Sequence, residues 1–433
     1  MEIRPFKAYR YDSAVVGDCG KCIAPPYDVI DGNQQDALYN SSPYNIARII
    51  KGKTEDGDNG TANQYSRAGE YLADWVAKGV VKPDENEAIY AYVQNFSIAG
   101  ASYQRSGFVA LGKLADFGEG VQPHEKTLDG PKADRLNLMR ATGAQFGQIF
   151  MMFNDPEKIA DAIIDKSITD EAAIDFTDDE DVRHRLYPIT GQTDVDAIVK
   201  MMGDKEALIA DGHHRYETAL NYFKETANPA AEYRMMTFVN MHNEGLVVLP
   251  THRLVGNLEK FDIDELIKKM QECFKITKFE FSEAANKAKA KSLMDKRLAK
   301  AFEAGENAFG IYDGKDFYFA LFIDKKPLEK IQASDALKGL DVVVLHDVIL
   351  DAMLGIGAAQ LASQSNLKYI KDIGDAVDKA MATVDSGEKQ CLFFMNSTPV
   401  EQVRAVSAEN EKMPQKSTFF YPKIFTGLTI NKL

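Results

Sequence analysis

An α+β fold with more than one domain is what this chain of 433 residues predicts. Three observations carry the expectation. The length exceeds what a single hydrophobic core organises, so two or three domains are expected. The run Ala207–Ala210 reads as a short buried strand. It passes a turn at Asp211-Gly212 and enters a segment with Tyr216, Ala219, Leu220 and Phe223 at helical spacing. Between Asn257 and Ile331 the composition shifts to Lys/Glu-rich amphipathic helices around the apolar runs Ala308–Tyr312 and Phe317–Ile323, the pattern of a separate small α/β module.

Taken in order, the opening segment alternates short strand-like runs with turns and ends at Ala24-Pro25-Pro26-Tyr27-Asp28. A double proline fits neither a helix interior nor a central strand, so this piece is a rigid extended loop. Tyr65 to Val80 predicts an amphipathic helix with Ala68, Leu72, Trp75 and Val76 on one face. Ile89–Phe96 and Arg105–Leu114 predict two strands around an Ala99-Gly100 turn. Gln145–Phe153 reads as a strand, the acidic stretch Asp170–Asp181 as a surface connection, and His184–Pro188 as a sheet edge. A strand-turn-strand over Arg234–Met241 and Leu246–Leu249 ends on Pro250-Thr251-His252-Arg253. Asp341–Leu354, with His346 and Asp347 inside it, predicts a strand-to-helix junction. Cys391–Asn396 is expected to be a buried strand, Pro399–Ala408 a helix and Pro414–Lys423 an edge-covering strand. The segments expected are 1–115, a core over 116–255, an inserted module over 256–340 and a C-terminal piece over 341–433.

Composition excludes several function classes. A net charge of −14 with no Lys/Arg stripe disfavours nucleic acid as a partner. No apolar run reaches the ~20 residues that span a bilayer, and the N-terminus has no secretory h-region, so a cytoplasmic protein is expected. Cys19 and Cys22 form a C-x-x-C, but Cys273 and Cys391 stand alone. A zinc site would need a second pair, so two reduced, solvated thiols in a loop are expected.

The chemistry concentrates at Asp211-Gly212-His213-His214-Arg215. A helix N-terminus offers unpaired amides and the positive end of the dipole, which suits an anion. Gly212 lets backbone approach a ligand closely, and Arg215 supplies a fork of donors that matches phosphate. A second dense region is His124-Glu125-Lys126-Thr127 followed by Lys132, Asp134 and Arg135, a loop able to present a general base (Glu125 or His124) and cations. Asp28 either points from its rigid loop toward a site or caps the next helix. His252-Arg253 offers a second cationic pole for the far end of a ligand.

Asp211-Gly212-His213-His214-Arg215-Tyr216-Glu217 resembles the nucleotide-binding signature of the ParB/sulfiredoxin superfamily. Sulfiredoxins have Gly-Gly-Cys-His-Arg-Tyr-Glu there, and archaeal free serine kinases a close Asp-Gly-His-His-Arg. The resemblance implies a mixed-sheet core with nucleotide phosphates held by Gly212, His214 and Arg215. Where sulfiredoxins have their nucleophilic cysteine this chain has His213, so thiol repair is not expected, and no basic recognition helix follows as in ParB. From end to end the chain resembles a bacterial and archaeal domain-of-unknown-function family, numbered 1015. The matching stretches are Arg4–Arg10, Ala24–Ile30, His124–Thr127 with Pro131–Arg135, the signature above, Pro250–Arg253 and Met413–Lys423.

Together these imply Mg²⁺-assisted phosphoryl transfer from ATP or ADP to a small polar metabolite, with L-serine the first acceptor to consider. Glu125 is the expected base, and Asp211 meets the metal or the acceptor. The ligands of a metal, the base of the nucleotide and the oligomeric state stay open. Two alternatives stand beside this reading. One is a phosphoserine-type phosphatase with His213 as nucleophile or acid; the other is a nucleotide-binding regulator without turnover.

Overall fold

Two long strands, β1 (Ile89–Ile98) and β2 (Ala101–Lys113), form the predicted hairpin, paired antiparallel from Ile98↔Ala101 to Tyr90↔Val109. Ala99 and Gly100 turn the chain at φ 50° and 82°, the left-handed pair that matches the twist of a two-residue hairpin. The computed structural model describes residues 1–125 and 129–433, and Lys126 and Thr127 of the charged loop therefore lie outside the described residues. The chain divides into two units. One comprises Met1–Pro123, Thr127–Val247 and Phe420–Leu433; the other comprises His124–Lys126 and Val248–Phe419.

The first unit is built on a large mixed sheet. Beyond the hairpin it holds β3 (Ile149–Phe153), β4 (Ile174–Thr177), β5 (Arg183–Ile189), β6 (Ala207–Asp211) and β7 (Tyr233–Asn240), in the order β6-β3-β7-β2-β1-β5-β4. Val121–Gln122 extends the β6 edge and Ile3–Arg4 pairs with β2. The β7–β3 pairing is parallel, whereas β6–β3, β7–β2 and β5–β1 are antiparallel. Two expectations change here. The acidic stretch contains β4, and β5 is an interior strand, paired with β1 on one side and β4 on the other. β4 is a four-residue Ile-Asp-Phe-Thr alternation with only Ile174 buried, and its pairing with β5 satisfies its backbone at the sheet edge.

Helices cover one face of this sheet: α2 (Asp129–Thr142), α3 (Ile159–Ser167), α4 (Gln192–Gly203) and α5 (His213–Thr226). They pack Met139, Ile164, Ile198, Met202, Tyr216 and Ala219 against Ile149, Met151, Phe108 and Phe238. Each buried side chain of this size is worth ~1.5–3 kcal/mol, so this cluster dominates the unit's stability. A smaller core surrounds Trp75 on α1 (Gln64–Ala77), whose ring meets those of Tyr11, Tyr44 and Tyr71. A reciprocal capping box between Asn63 and Ser66 starts α1. Gly69 lets α1 approach α2 closely, since a Cβ there would lie 2.7 Å from the Ala141 carbonyl oxygen. The C-terminal segment meets the residues whose side chains leave the opposite face of the strands. Phe420 packs on Phe150, Tyr421 on Phe96 and Phe425 on His184.

The second unit carries a six-stranded antiparallel sheet. Its strands are β8 (Thr251–Val255), β9 (Phe274–Glu280), β10 (Ala308–Tyr312), β11 (Asp316–Phe322), β12 (Leu367–Lys371) and β13 (Cys391–Phe394), ordered β9-β11-β10-β13-β8-β12. Helices α6 (Ala284–Glu303) and α7 (Ala376–Asp385) cover it through Met294, Leu298, Ala380 and Met381. His346 and Asp347 lie within a π-helical segment, Val344–Asp351, rather than at a strand-to-helix junction. The expected terminal strand is short, covering only Phe420–Tyr421. No helix of the described residues is long and apolar enough to cross a membrane.

Candidate functional site

Strand β6 ends at Asp211, Gly212 turns the chain, and α5 begins at His213. The turn is local in origin. Four apolar residues commit 207–210 to the sheet interior, and Gly212 stands at φ 97°, ψ 28°, a conformation that costs an L-residue roughly 1–2 kcal/mol. Gly212 offers no side-chain cap, so the first-turn amides of this 14-residue helix receive none from it. Such an N-terminus attracts negative charge.

Three charged side chains meet there. Arg215 lies back over Gly212, its Nη2 2.9 Å from where a Gly212 Cβ would stand. Its Nη1 donates to the Gln148 carbonyl, and its Nη2 lies 3.4 Å from Asp211 Oδ2. Lys423, delivered by the C-terminal segment, places Nζ 3.5 Å from the same Asp211 oxygen. Asp211 is thus a carboxylate between two cations. Arg215 is 8 % exposed and has two arms engaged within the protein, so the open fork expected from the sequence is partly occupied. His213 is buried and His214 half-buried.

Arg105 adds a third cation to the neighbourhood. Fully buried, it donates to Gln94 Oε1 and the Pro422 carbonyl and packs its guanidinium on the Phe150 ring at 4.8 Å. Burial lowers its pKa to about 10, with Tyr92 and Asp211 opposing that fall. Sequence reasoning passed over both Arg105 and Lys423. An arginine inside the apolar run of β2 was the signal for the first; Lys423 closes the family-matching stretch Met413–Lys423, but nothing in that run points it at Asp211.

The other expected residues fall into two groups. In the first unit, Lys132 pairs with Glu217 of α5 at 2.5 Å. Arg135 bonds to Asp134 and to the Ile50 carbonyl and lies 3.9 Å over the Tyr27 ring. Asp28 is exposed, and the helix that follows is capped by Asp31, which accepts from the Gln34 amide at 2.8 Å. The capping alternative for Asp28 is therefore taken by its neighbour.

In the second unit, buried His124 shares a hydrogen bond with Thr418 Oγ1 at 2.9 Å, and Glu125 accepts from the Ser417 amide at 3.3 Å. Arg253 lies at the middle of β8, is 1 % exposed, and donates to the Thr251 and Lys416 carbonyls. Burial lowers its pKa to about 10. His252 accepts at Nδ1 from the Met395 amide at 3.1 Å, with Nε2 3.7 Å from Asp372. This pair lies inside an interior strand rather than at the end of one.

Among the described residues no group of three or more His, Cys, Asp or Glu is arranged to hold a metal ion. The four cysteines are free. Cys19 and Cys22 form a short 3₁₀ turn, and Cys22 is fully buried rather than solvated, its thiol pushed up to about 11 by burial.

A family model described as "Protein of unknown function (DUF1015)" matches residues 3–343. No protein of curated function matches the chain. Among solved structures it is similar to a free serine kinase mutant in complex with AMP, at 14% identity over 70% of this chain and 84% of that one, with a TM-score of 0.34. It is similar also to a conserved hypothetical protein from Pyrococcus furiosus, at 16% identity over 71% and 89%, with a TM-score of 0.33. SbnI with a C-terminal truncation, from Staphylococcus aureus, is 9% identical over 75% and 87%, with a TM-score of 0.34. Likenesses this distant carry no weight for the chemistry of the turn.

Proposed function

The chain belongs to the DUF1015 family, and from that premise we propose that it is a nucleotide-dependent phosphotransferase with a small polar acceptor, L-serine first. The donor phosphates would rest on the Asp211-Gly212 turn. One observation carries the reading: a 14-residue helix starts at a left-handed glycine with no side-chain cap, beside Arg215 and Lys423. Amide dipoles and cations at one turn are what a polyphosphate needs, and phosphoryl transfer asks a protein mainly to position groups and neutralise charge. The match of Asp211 to Arg215 with the superfamily signature supports the same reading, and with it a ParB/sulfiredoxin-like core.

Roles follow from the contacts. The first-turn amides and His214 hold phosphate oxygens. Lys423 and Arg215 exchange part of their pairing with Asp211 for the incoming anion. Asp211, released, is a carboxylate for Mg²⁺, an ion that usually takes one or two carboxylates and fills its remaining positions with water and substrate phosphates. Bound there, Mg²⁺ would neutralise charge on the transferring phosphoryl group. Buried His213 is poorly placed to act as a nucleophile on a phosphoester, which disfavours the phosphatase alternative.

A thermal-shift panel of AMP, ADP, ATP and CTP, with and without Mg²⁺, followed by mass detection of phosphoserine, tests this. A nucleotide at a hundred times its Kd should add about 2.7 kcal/mol of apparent stability. Binding with no acceptor-dependent turnover would leave a nucleotide-binding regulator. Phosphate release from phosphoserine without nucleotide would replace the kinase with a phosphatase.

A further inference from the structure

Arg234 lies on β7 and is 5 % exposed. Its Nη2 donates to the Gly147 carbonyl at 2.6 Å. Its Nε and Nη1 are buried and, among the described residues, have no hydrogen-bond partner. The charged neighbour acting on it is another cation, Arg215, and burial together with that neighbour lowers the Arg234 pKa to about 9. At neutral pH it therefore remains a buried, charged guanidinium. A buried cation without a counter-charge is strongly destabilising, and unmade hydrogen bonds add to that cost.

A cavity of about 40 Å³ lies against this group, lined by Tyr27, Arg135, Gly147, Arg215, Arg234 and Thr426 together with apolar side chains and the polar Gln145 and Thr218. Among the described residues its lining holds three arginines and no carboxylate. Two of those arginines have acidic partners elsewhere, Arg135 in Asp134 and Arg215 in Asp211. Arg234 has none among the described salt bridges. One water needs roughly 10–15 Å³ of such space, so the cavity matches about three water-sized positions. That is the scale of the head of a carboxylate or a phosphate. Gly147 keeps the wall thin: a Cβ there would stand 3.0 Å from Thr426 Oγ1 and 3.4 Å from Arg215 Nη1.

We propose that Arg234 and Arg215 form a buried receptor for a small oxyanion, the carboxylate or phosphate group of a metabolite, with the Thr426 hydroxyl as a further contact. The receptor requires neither a nucleotide at the Asp211 turn nor any turnover. Guanidinium forks bind such oxyanions with paired N–H donors, and the low dielectric around buried groups strengthens the attraction.

Full-length protein is melted in chloride buffer of fixed ionic strength while inorganic phosphate, and separately acetate, replaces chloride. Wild type should show a saturable rise in melting temperature with at least one of the two. A phosphate response marks a phosphate-bearing ligand, and an acetate response marks a carboxylate. Arg234→Met should melt above wild type in chloride alone, because the uncompensated charge is gone, and its anion response should weaken at least tenfold in affinity. Arg234→Lys retains charge but loses the fork, and should respond weakly while folding normally. ADP affinity of Arg234→Met should stay within about twofold of wild type, whatever its value. The proposal is overturned if wild type responds to neither anion, if the variants respond as wild type does, or if ADP binding and the anion response disappear together.

Discussion

Replacing Gly212 with alanine tests the geometry on which the candidate site depends. Two costs can be worked from the structure. The backbone at φ 97° is left-handed, which costs an L-residue roughly 1–2 kcal/mol. The new Cβ would also stand 2.9–3.0 Å from Nη2, Nε and Cζ of Arg215. That guanidinium has little freedom to yield, because it is tied to the Gln148 carbonyl and to Asp211. Displacing it forfeits a charge-assisted bond worth about 1.5–3 kcal/mol. The sum is about 2.5–5 kcal/mol. Trp75 is the single tryptophan of the chain, is 1 % exposed and belongs to the first unit, so its fluorescence during urea denaturation reports that unit. Gly212→Asn has the same Cβ but tolerates positive φ better, so its loss should fall below that of alanine. A Gly212→Ala variant within about 0.5 kcal/mol of wild type, the usual range of an uneventful surface change, would refute both the strained turn and the lodged arginine.

Other outcomes follow from buried titratable groups. Burial outweighs the Asp178 carboxylate at 3.0 Å and lowers the pKa of His184, so the folded first unit keeps this ring neutral while the unfolded chain protonates near pH 6.5. Its contribution is complete above that pH and is lost as pH falls through it, by up to about 1.4 kcal/mol per pH unit; a urea series from pH 8 to 5 read by Trp75 should show the slope, and His184→Gln should flatten it. Asp341 has the opposite sign. Burial raises its carboxyl to about 6 against the Asn307 amide at 2.7 Å, so its contribution is complete below the unfolded value of 3.8 and is lost as pH rises to 6. Asp341→Asn should therefore stabilise the second unit by about 3 kcal/mol at pH 8 and hardly at all at pH 3.5, and an equal effect at both would count against a buried, charged Asp341. Cys22, fully buried with a thiol near 11, should react with a soluble disulfide reagent at pH 8 far more slowly than the half-exposed Cys19, until urea unfolds the first unit.

What the sequence by itself determined was local. The β6–Gly212–α5 unit could be read because an apolar run, a glycine and a helical stripe lie within a few residues, and each acts through its own backbone. The β1–β2 hairpin, α1, β10, β11 and β13 were legible for the same reason, as was membership of the DUF1015 family, whose matching motifs are runs along the chain. Strands read less well where pairing rather than pattern defines them. β4 is an Ile-Asp-Phe-Thr alternation of only four residues inside an acidic stretch, and nothing in β5's own residues says that it has neighbours on both sides. The second unit's sheet likewise takes β8, β12 and β13 from outside Asn257–Ile331. Only the tertiary structure decided which charges meet. Lys423 reaches Asp211, Arg105 reaches the Pro422 carbonyl, Arg215 turns to Gln148, and Arg234 is left facing Arg215. Electrostatic partners are chosen by distance and burial, and both are set by how the strands order in the sheet and where the C-terminal segment lies on it.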